Sequence, residues 1–295
     1  MTATTTRRSN PAGGRRAPLR PPAPERYHLV TLEVAAVRDL SRHMRRVTFV
    51  GDVADYPGAA PDQWVKLFLP APGRELPEIP SGDGWYDAYR AMDDDERPAM
   101  RTYTVRRHDA GSGEIDIDFV LHGDTGPGSA WAERAAVGQR IAMFGPGGAY
   151  MVSPGSDWQL LVGDETGLPA IASIIERADR PVRAVIEVAC PGEEQPLVAR
   201  SGVPVEVTWV HRGTDEAPGA DVRPDLLVDA VRSIELPEGR PYVWISGESS
   251  KVKALRRCVI GDCGIDRADV CFLGYWRKGA AEGEAPAYHS RSVEA

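Results

Sequence analysis

The sequence predicts a β-barrel plus α/β architecture, in which a small antiparallel barrel is followed by a domain built on a mostly parallel sheet. Three observations carry this. Between residues 27 and 144, six short strand-like runs are separated by Pro, Gly and Asp clusters with no long helical pattern among them. Beyond residue 154, strands alternate with helices of about 10 to 12 residues, the rhythm of right-handed βαβ units. A chain of 295 residues is long enough for two hydrophobic cores.

The first 26 residues are Thr, Pro, Ala, Gly and Arg with almost nothing large to bury, so they cannot offset the entropy of ordering and are expected to be a disordered tail. The barrel strands are expected over 28–37, 44–50, 64–69, 102–106, 114–121 and 140–144. Strict alternation in the 114–121 segment, EIDIDFVL, is that of a strand with one wet face. The insertion at 71–100 holds Pro72, Pro77, Pro80, Gly82, Gly84 and the acidic run Asp93-Asp94-Asp95-Glu96, and it reads as a loop or lid. A helix continuing over 129–136 is expected to open at Pro127. In the second half the strands are expected at 158–162, 182–189, 203–210, 242–245 and 270–273, with helices at 168–178, 224–233 and 249–260. The expected domains are therefore 27–153 and 154–279, with a flexible tail at 280–295.

Lysine and arginine number 35 against 43 aspartates and glutamates, giving a net charge of −8. Residues 1–26 carry six arginines and a single acid, Glu25, so the body is more acidic than the total. Such a body excludes general nucleic-acid binding, which needs a basic surface. No apolar run approaches the ~20 residues of a membrane span. Arg7 and Arg8 resemble a twin-arginine signal, yet no apolar stretch follows. The four cysteines (Cys190, Cys258, Cys263, Cys271) form no CxxC pair and have no histidines at zinc spacing, so reduced, buried thiols and no metal site are expected. The expected location is cytoplasmic, and the expected state a monomer.

Three segments carry candidate chemistry. The run Arg101-Thr102-Tyr103-Thr104-Val105-Arg106 places Arg101 and Tyr103 on one strand face and Thr102 and Thr104 on the other. An Arg can fork onto a pyrophosphate, a Tyr can cover a planar ring and a Thr can bond a ring heteroatom, although an ordinary exposed strand contains the same residue types. Downstream, 119–132 ends a strand in a Gly-rich turn with Pro127 at a helix start, where free backbone N–H groups favour an anion; an unremarkable connection reads the same way. Finally, 160–170 sends a buried strand through Gly163 and Gly167 into a helix, as in the first crossover of a dinucleotide domain. It is not GxGxxG, and Asp164 and Glu165 make it a poor phosphate cradle and a better ledge for a ring or ribose.

Taken in order with Asp118, His122, Gly126-Pro127, Ser129, Trp131, Gly247-Glu248 and the closing Gly274-Tyr275-Trp276-Arg277-Lys278-Gly279, these segments resemble the siderophore-interacting proteins. These are FAD-containing ferric-siderophore reductases of the ferredoxin-NADP reductase superfamily. The resemblance implies an FAD-binding barrel and a Rossmann-like NAD(P)H-binding domain with the flavin between them. It implies Arg101 as phosphate ligand, Tyr103 against the isoalloxazine or ribityl chain, and Thr104, beside Thr102, at the ring edge. Asp118, His122, Gly126, Ser129 and Trp131 fall in the part that closes around the cofactor. Asp164, Glu165 and Thr166 would contact it from the second domain, and Tyr275 and Trp276 would lie near the nicotinamide side.

Relatives that take anionic ferric-catecholates often have a basic pocket beside the flavin. Here Lys66 matches one of its positions, but Gly147 stands where an arginine is common and Cys271 near a third basic position; Arg277 and Lys278 are candidate replacements. A neutral ferric-hydroxamate is the favoured substrate. The implied activity is reduction of Fe(III) to Fe(II) by NADH or NADPH through FAD, with no side-chain nucleophile required. His122 is the one candidate to assist protonation, and a packed or flavin-edge role is its alternative. Acidic Glu193 and Glu194 after Cys190 favour NADH, whereas His211 and Arg212 offer a place for a 2′-phosphate. A general flavin or ferredoxin reductase, with ferredoxin as partner, and a non-redox siderophore carrier are the alternative readings.

Overall fold

The computed structural model describes residues 21, 28–57, 60–70, 74–80, 84–123, 126–213 and 224–279. Apart from Pro21, the two tails expected at 1–26 and 280–295 lie outside the described residues. Six strands close a barrel: β1 (His28–Ser41), β2 (Met44–Gly51), β3 (Trp64–Leu69), β4 (Ala99–Asp109), β5 (Glu114–Val120) and β6 (Arg140–Gly147). Their order is β1-β2-β5-β4-β3-β6, with every neighbour antiparallel. Alternation fills the interior: Ile115, Ile117 and Phe119 of β5 point inward and are fully buried beside Phe49, Val65 and Leu67.

The outer face of β5 is polar but not wet, which corrects the reading of the alternation. Asp116 and Asp118 are only 4% exposed. Both Asp118 oxygens accept from the Arg46 guanidinium, at 2.6 and 2.8 Å, while Asp116 accepts from Thr48 and Arg107, each at 2.7 Å. Carboxylates can be buried there because each is paired and hydrogen-bonded.

The 71–100 insertion is not wholly loop, since it contains the short helix α1 (Trp85–Arg90). Trp85 and Tyr89, four residues apart, share a face and pack on Phe68 and Phe144 of the outer barrel wall, with the Trp85 and Phe144 rings 4.8 Å apart. A second helix, α2 (Pro127–Glu133), opens at Pro127 as expected and ends three residues short of the expected 136. Its Trp131 lies between Phe49 and Phe119 at the barrel core.

The second unit is a five-stranded parallel sheet ordered β11-β10-β7-β8-β9. Its elements are β7 (Trp158–Asp164), α3 (Leu168–Glu176), β8 (Val182–Val188), β9 (Val205–His211), α4 (Pro224–Ser233), β10 (Pro241–Glu248), α5 (Ser249–Gly261) and β11 (Val270–Trp276). Central β7 is buried at every position, as a strand covered by helices on both faces must be. The strand order reverses between β7 and β10, which opens a crevice at their carboxyl ends.

The two units pack together through specific contacts. Met44 joins the second core, with Leu40 and Val120 against it. Glu193 accepts from the Ser41 hydroxyl and from His43 Nδ1, the latter at 2.9 Å, and Arg106 on β4 pairs with Glu176 on α3. Asp62, fully buried, receives the Ala149 amide at 3.1 Å and Trp244 Nε1 at 3.2 Å. Burial pushes its carboxyl up, partly offset by those donors. None of the four cysteines is in a disulfide; Cys258 is buried and the other three are half-buried rather than enclosed. Among the described residues no helix is long and apolar enough to cross a membrane, and no cluster of His, Cys, Asp or Glu is placed to hold a metal.

Candidate functional site

Strand β4 divides its side chains between two environments. Toward α2, the Tyr103 ring packs on Phe119 with centroids 4.4 Å apart, and its hydroxyl reaches the backbone of Gly128 so closely that a Cβ there would lie 2.1 Å from it. Arg101 flanks the same helix, with its Cγ 3.7 Å from that point, and donates to the Met100 carbonyl at 2.7 Å. The Ser129 hydroxyl, buried, accepts from the His122 backbone N–H at 2.8 Å, and the His122 ring lies against Gly126. Arg101, Tyr103, His122, Gly126 and Ser129 are thus brought to one corner. Asp118 and Trp131 are not: Asp118 is held by Arg46 on the barrel wall, and Trp131 faces the core.

On the outer face, cross-strand pairing puts Trp64 opposite Thr104 and Lys66 opposite Thr102. Lys66 Nζ lies 3.4 Å from Thr102 Oγ1 and 5.9 Å from the Trp64 ring centroid. The Trp64 indole lies over Gly147, where a Cβ would come within 2.1 Å of the ring. Any side chain at 147 would have to displace that indole. Sequence reasoning missed Trp64, although its two-residue spacing from Lys66 placed both on one face.

The second unit approaches this face through its last strand. Buried Thr104 stands next to the Tyr275 hydroxyl, which also neighbours Ser246. Desolvation holds that phenol well above its ordinary pKa. Tyr275 Oη and Ser246 Oγ are buried without a partner in hydrogen-bond geometry. No local signal in the sequence marks Ser246.

Asp164 joins three carboxyl-end loops. It accepts from the Thr166 N–H at 3.0 Å and hydroxyl at 2.5 Å, from the Glu248 N–H at 2.8 Å and from Trp276 Nε1 at 3.3 Å. Glu165 instead points into the domain and takes both ends of the Arg212 guanidinium, at 2.5 and 2.8 Å. Glu187 accepts from the same Arg212 at 3.1 Å and from Lys251 Nζ at 2.5 Å. Glu248 caps α5, accepting from the Ser250 N–H at 2.6 Å. Arg277 and Lys278 follow β11, exposed.

Comparison with known proteins agrees with this layout. The model of the siderophore-interacting FAD-binding domain matches residues 33–150, and that of the siderophore-interacting protein matches residues 156–279. An uncharacterized protein of Mycobacterium tuberculosis is 38% identical over 86% of this chain and 92% of its own. The NADPH-dependent ferric-chelate reductase of Escherichia coli is 28% identical over 77% of this chain and 84% of its own. The crystal structure of a siderophore utilization protein from T. fusca is 37% identical, with a TM-score of 0.72 over 86% of this chain and 95% of that one. The barrel with its parallel-sheet partner is the fold of the ferredoxin-NADP reductases. The chain belongs to the siderophore-interacting protein family.

Proposed function

We propose that this protein is an NAD(P)H-dependent ferric-siderophore reductase that works through bound FAD. The observation that carries the reading is the meeting of Thr104 from the barrel with Tyr275 and Ser246 from the parallel sheet. The buried hydroxyls that cluster there are suited to the polar edge of a ring system held between the units. The corner of Arg101, Tyr103 and Gly128 fits the rest of such a cofactor, with a forked cation beside a close backbone approach and an aromatic ring. FAD, when bound, takes two electrons from a nicotinamide and passes them on singly, the match needed for a one-electron Fe(III) acceptor.

The residues of the chain position and enclose. Arg101 would neutralise the pyrophosphate, Tyr103 would cover the isoalloxazine or ribityl chain, and Thr104 would bond the ring edge. Tyr275 and Trp276 close the site from the second unit, with Trp276 fixed by its bond to Asp164. No side chain need act as nucleophile. Loss of iron follows from the poorer match of Fe(II) to hard oxygen donors.

For substrate, the neighbours that pairing and packing give Lys66 are uncharged: Trp64 covers Gly147, Thr102 lies beside the ammonium, and Phe144 is its partner on β6. A tris-catecholate complex of Fe(III) is a trianion and a tris-hydroxamate complex is neutral, so this face suits the hydroxamate. The test is anaerobic turnover of purified, FAD-loaded protein with a nicotinamide donor, a ferric tris-hydroxamate and an Fe(II)-trapping chelator. Bleaching of the flavin bands and their recovery as Fe(II) accumulates is expected. Failure to bind FAD, or reduction of ferredoxin with none of any ferric complex, overturns the proposal; faster turnover of a tris-catecholate overturns the substrate class.

A further inference from the structure

The carboxyl edge of the parallel sheet carries an arrangement that bears on which electron donor the protein accepts, an inference that rests on the reductase reading above. Tyr275 beside Thr104 fixes the end of the crevice that faces the barrel, at β10 and β11. An extended dinucleotide lying across the switch point with its nicotinamide there must place its adenosine half over the ends of β8 and β9, the other side of the sheet. At that side the sequence offers two cationic or titratable residues in succession, His211 and Arg212, and two acids, Glu193 and Glu194.

The structure commits each of them. The Arg212 side chain is 4% exposed, and its guanidinium is bound by Glu165 through both terminal nitrogens and by Glu187 through Nη1. Glu187 in turn is held by Lys251, so the two cations and two carboxylates form one compensated buried chain from the β7 turn to the start of α5. His211 Nε2 lies 2.8 Å from Glu194, and Glu193 is spent on the barrel hairpin through Ser41 and His43. A ribose 2′-phosphate, about −1.5 to −2 in charge at neutral pH, would meet Glu194 directly and would have to draw Arg212 away from two carboxylates. A ribose carrying a free 2′-hydroxyl meets no such conflict.

We infer that the donor is the dinucleotide without the 2′-phosphate, NADH, and that Arg212 is a positioning residue that holds Glu165 and Glu187 at the carboxyl edge rather than a phosphate receiver. This differs from the E. coli relative, whose name specifies NADPH. Discrimination arises from repulsion as much as attraction, and we expect a preference of about tenfold or more.

The test is calorimetric titration of the full chain with NAD+ and with NADP+, alongside kcat/KM for NADH and NADPH on the FAD-loaded protein. Expected are a lower Kd for NAD+ and a kcat/KM ratio favouring NADH by about tenfold or more. In Glu194→Gln, at an exposed position, the ratio should move several-fold toward NADPH. In Glu165→Gln, which removes the charge that holds both terminal nitrogens of Arg212, it should move further; if that variant fails to fold, Glu194→Gln still decides. Equal or tighter binding of NADP+ by the parent chain, or a ratio that Glu194→Gln leaves unmoved, overturns the inference while leaving the reductase reading intact. Reduction of the flavin by neither nucleotide overturns both.

Discussion

Gly128→Ala tests the cofactor corner most sharply, because two effects of opposite sign compete there. In an uncrowded helix, Ala in place of Gly stabilises by about 1 kcal/mol. At this position the added Cβ would lie 2.1 Å from Tyr103 Oη, where ordinary contact begins at 3.4 Å, so roughly 1.3 Å must be recovered by movement. The tyrosine cannot simply retreat, since its ring rests on Phe119 in the barrel core. Overpacking of this kind costs about 1 to 3 kcal/mol, so the net change is a loss of up to about 2 kcal/mol. That corresponds to a fall in Tm of roughly 2 to 4 °C per kcal/mol. A Tyr103 displaced from its place beside Arg101 should also weaken FAD binding about tenfold, or 1.4 kcal/mol. The assays are thermal unfolding of the FAD-free protein and titration of FAD followed by flavin fluorescence. The double variant Gly128→Ala/Tyr103→Phe supplies the control. Without the hydroxyl, the nearest atom becomes Tyr103 Cζ at 3.3 Å, a contact that small adjustments accommodate, so Tm should recover most of its loss. A Gly128→Ala protein that is more stable than the parent and binds FAD within twofold of it, or a double variant no better than the single, would refute the reasoning.

Further outcomes follow from the same geometry. Arg101→Ala should weaken FAD binding by about one to two orders of magnitude, the worth of a charge-assisted bond of roughly 1.5 to 3 kcal/mol, and Arg101→Lys should recover only part of it, measured by the same titration. Burial of Glu176 works against its ionised form, but the bond from Arg106 and the charges of Arg106, Arg200 and Arg46 outweigh it, and its carboxyl sits below its usual pKa. A lowered carboxyl contributes stability above its unfolded pKa and loses it as pH falls through the folded value. Glu176→Gln should therefore flatten the acid limb of Tm against pH, from about pH 4.5 downward. Lys251→Met removes the Lys251 ammonium from fully buried Glu187, leaving it only the longer bond from Arg212, and should destabilise the second unit by about 3 to 5 kcal/mol, read from denaturant unfolding.

Local spacing made most of the fold legible. The alternation of Ile115, Ile117 and Phe119 states which face of β5 turns to the core, and the mostly apolar run of β7 that both its faces are covered, each a property of neighbours in sequence; that Asp116 and Asp118 are buried as well depended on their partners on other strands. The same spacing put Arg101 and Tyr103 on one face and Thr102 and Thr104 on the other. What it lacked was α1, because six residues are far too few for an isolated helix in water; Trp85 and Tyr89 hold it by packing on Phe68 and Phe144, which belong to other strands.

The charged residues divide in the same way. Sequence alone determined that Asp164, Glu165 and Arg212 occur at strand ends on the carboxyl edge of a parallel sheet. Tertiary structure decided that Glu165 turns inward to Arg212, 47 residues away, that Asp118 belongs to Arg46, 72 residues away, and that Trp64 lies over Gly147. A short-range pattern records which face a side chain occupies, since the backbone period is fixed. Which partner an ion or ring meets on that face depends on barrel closure, sheet order and the packing of the two units, and no spacing along the chain encodes those distances.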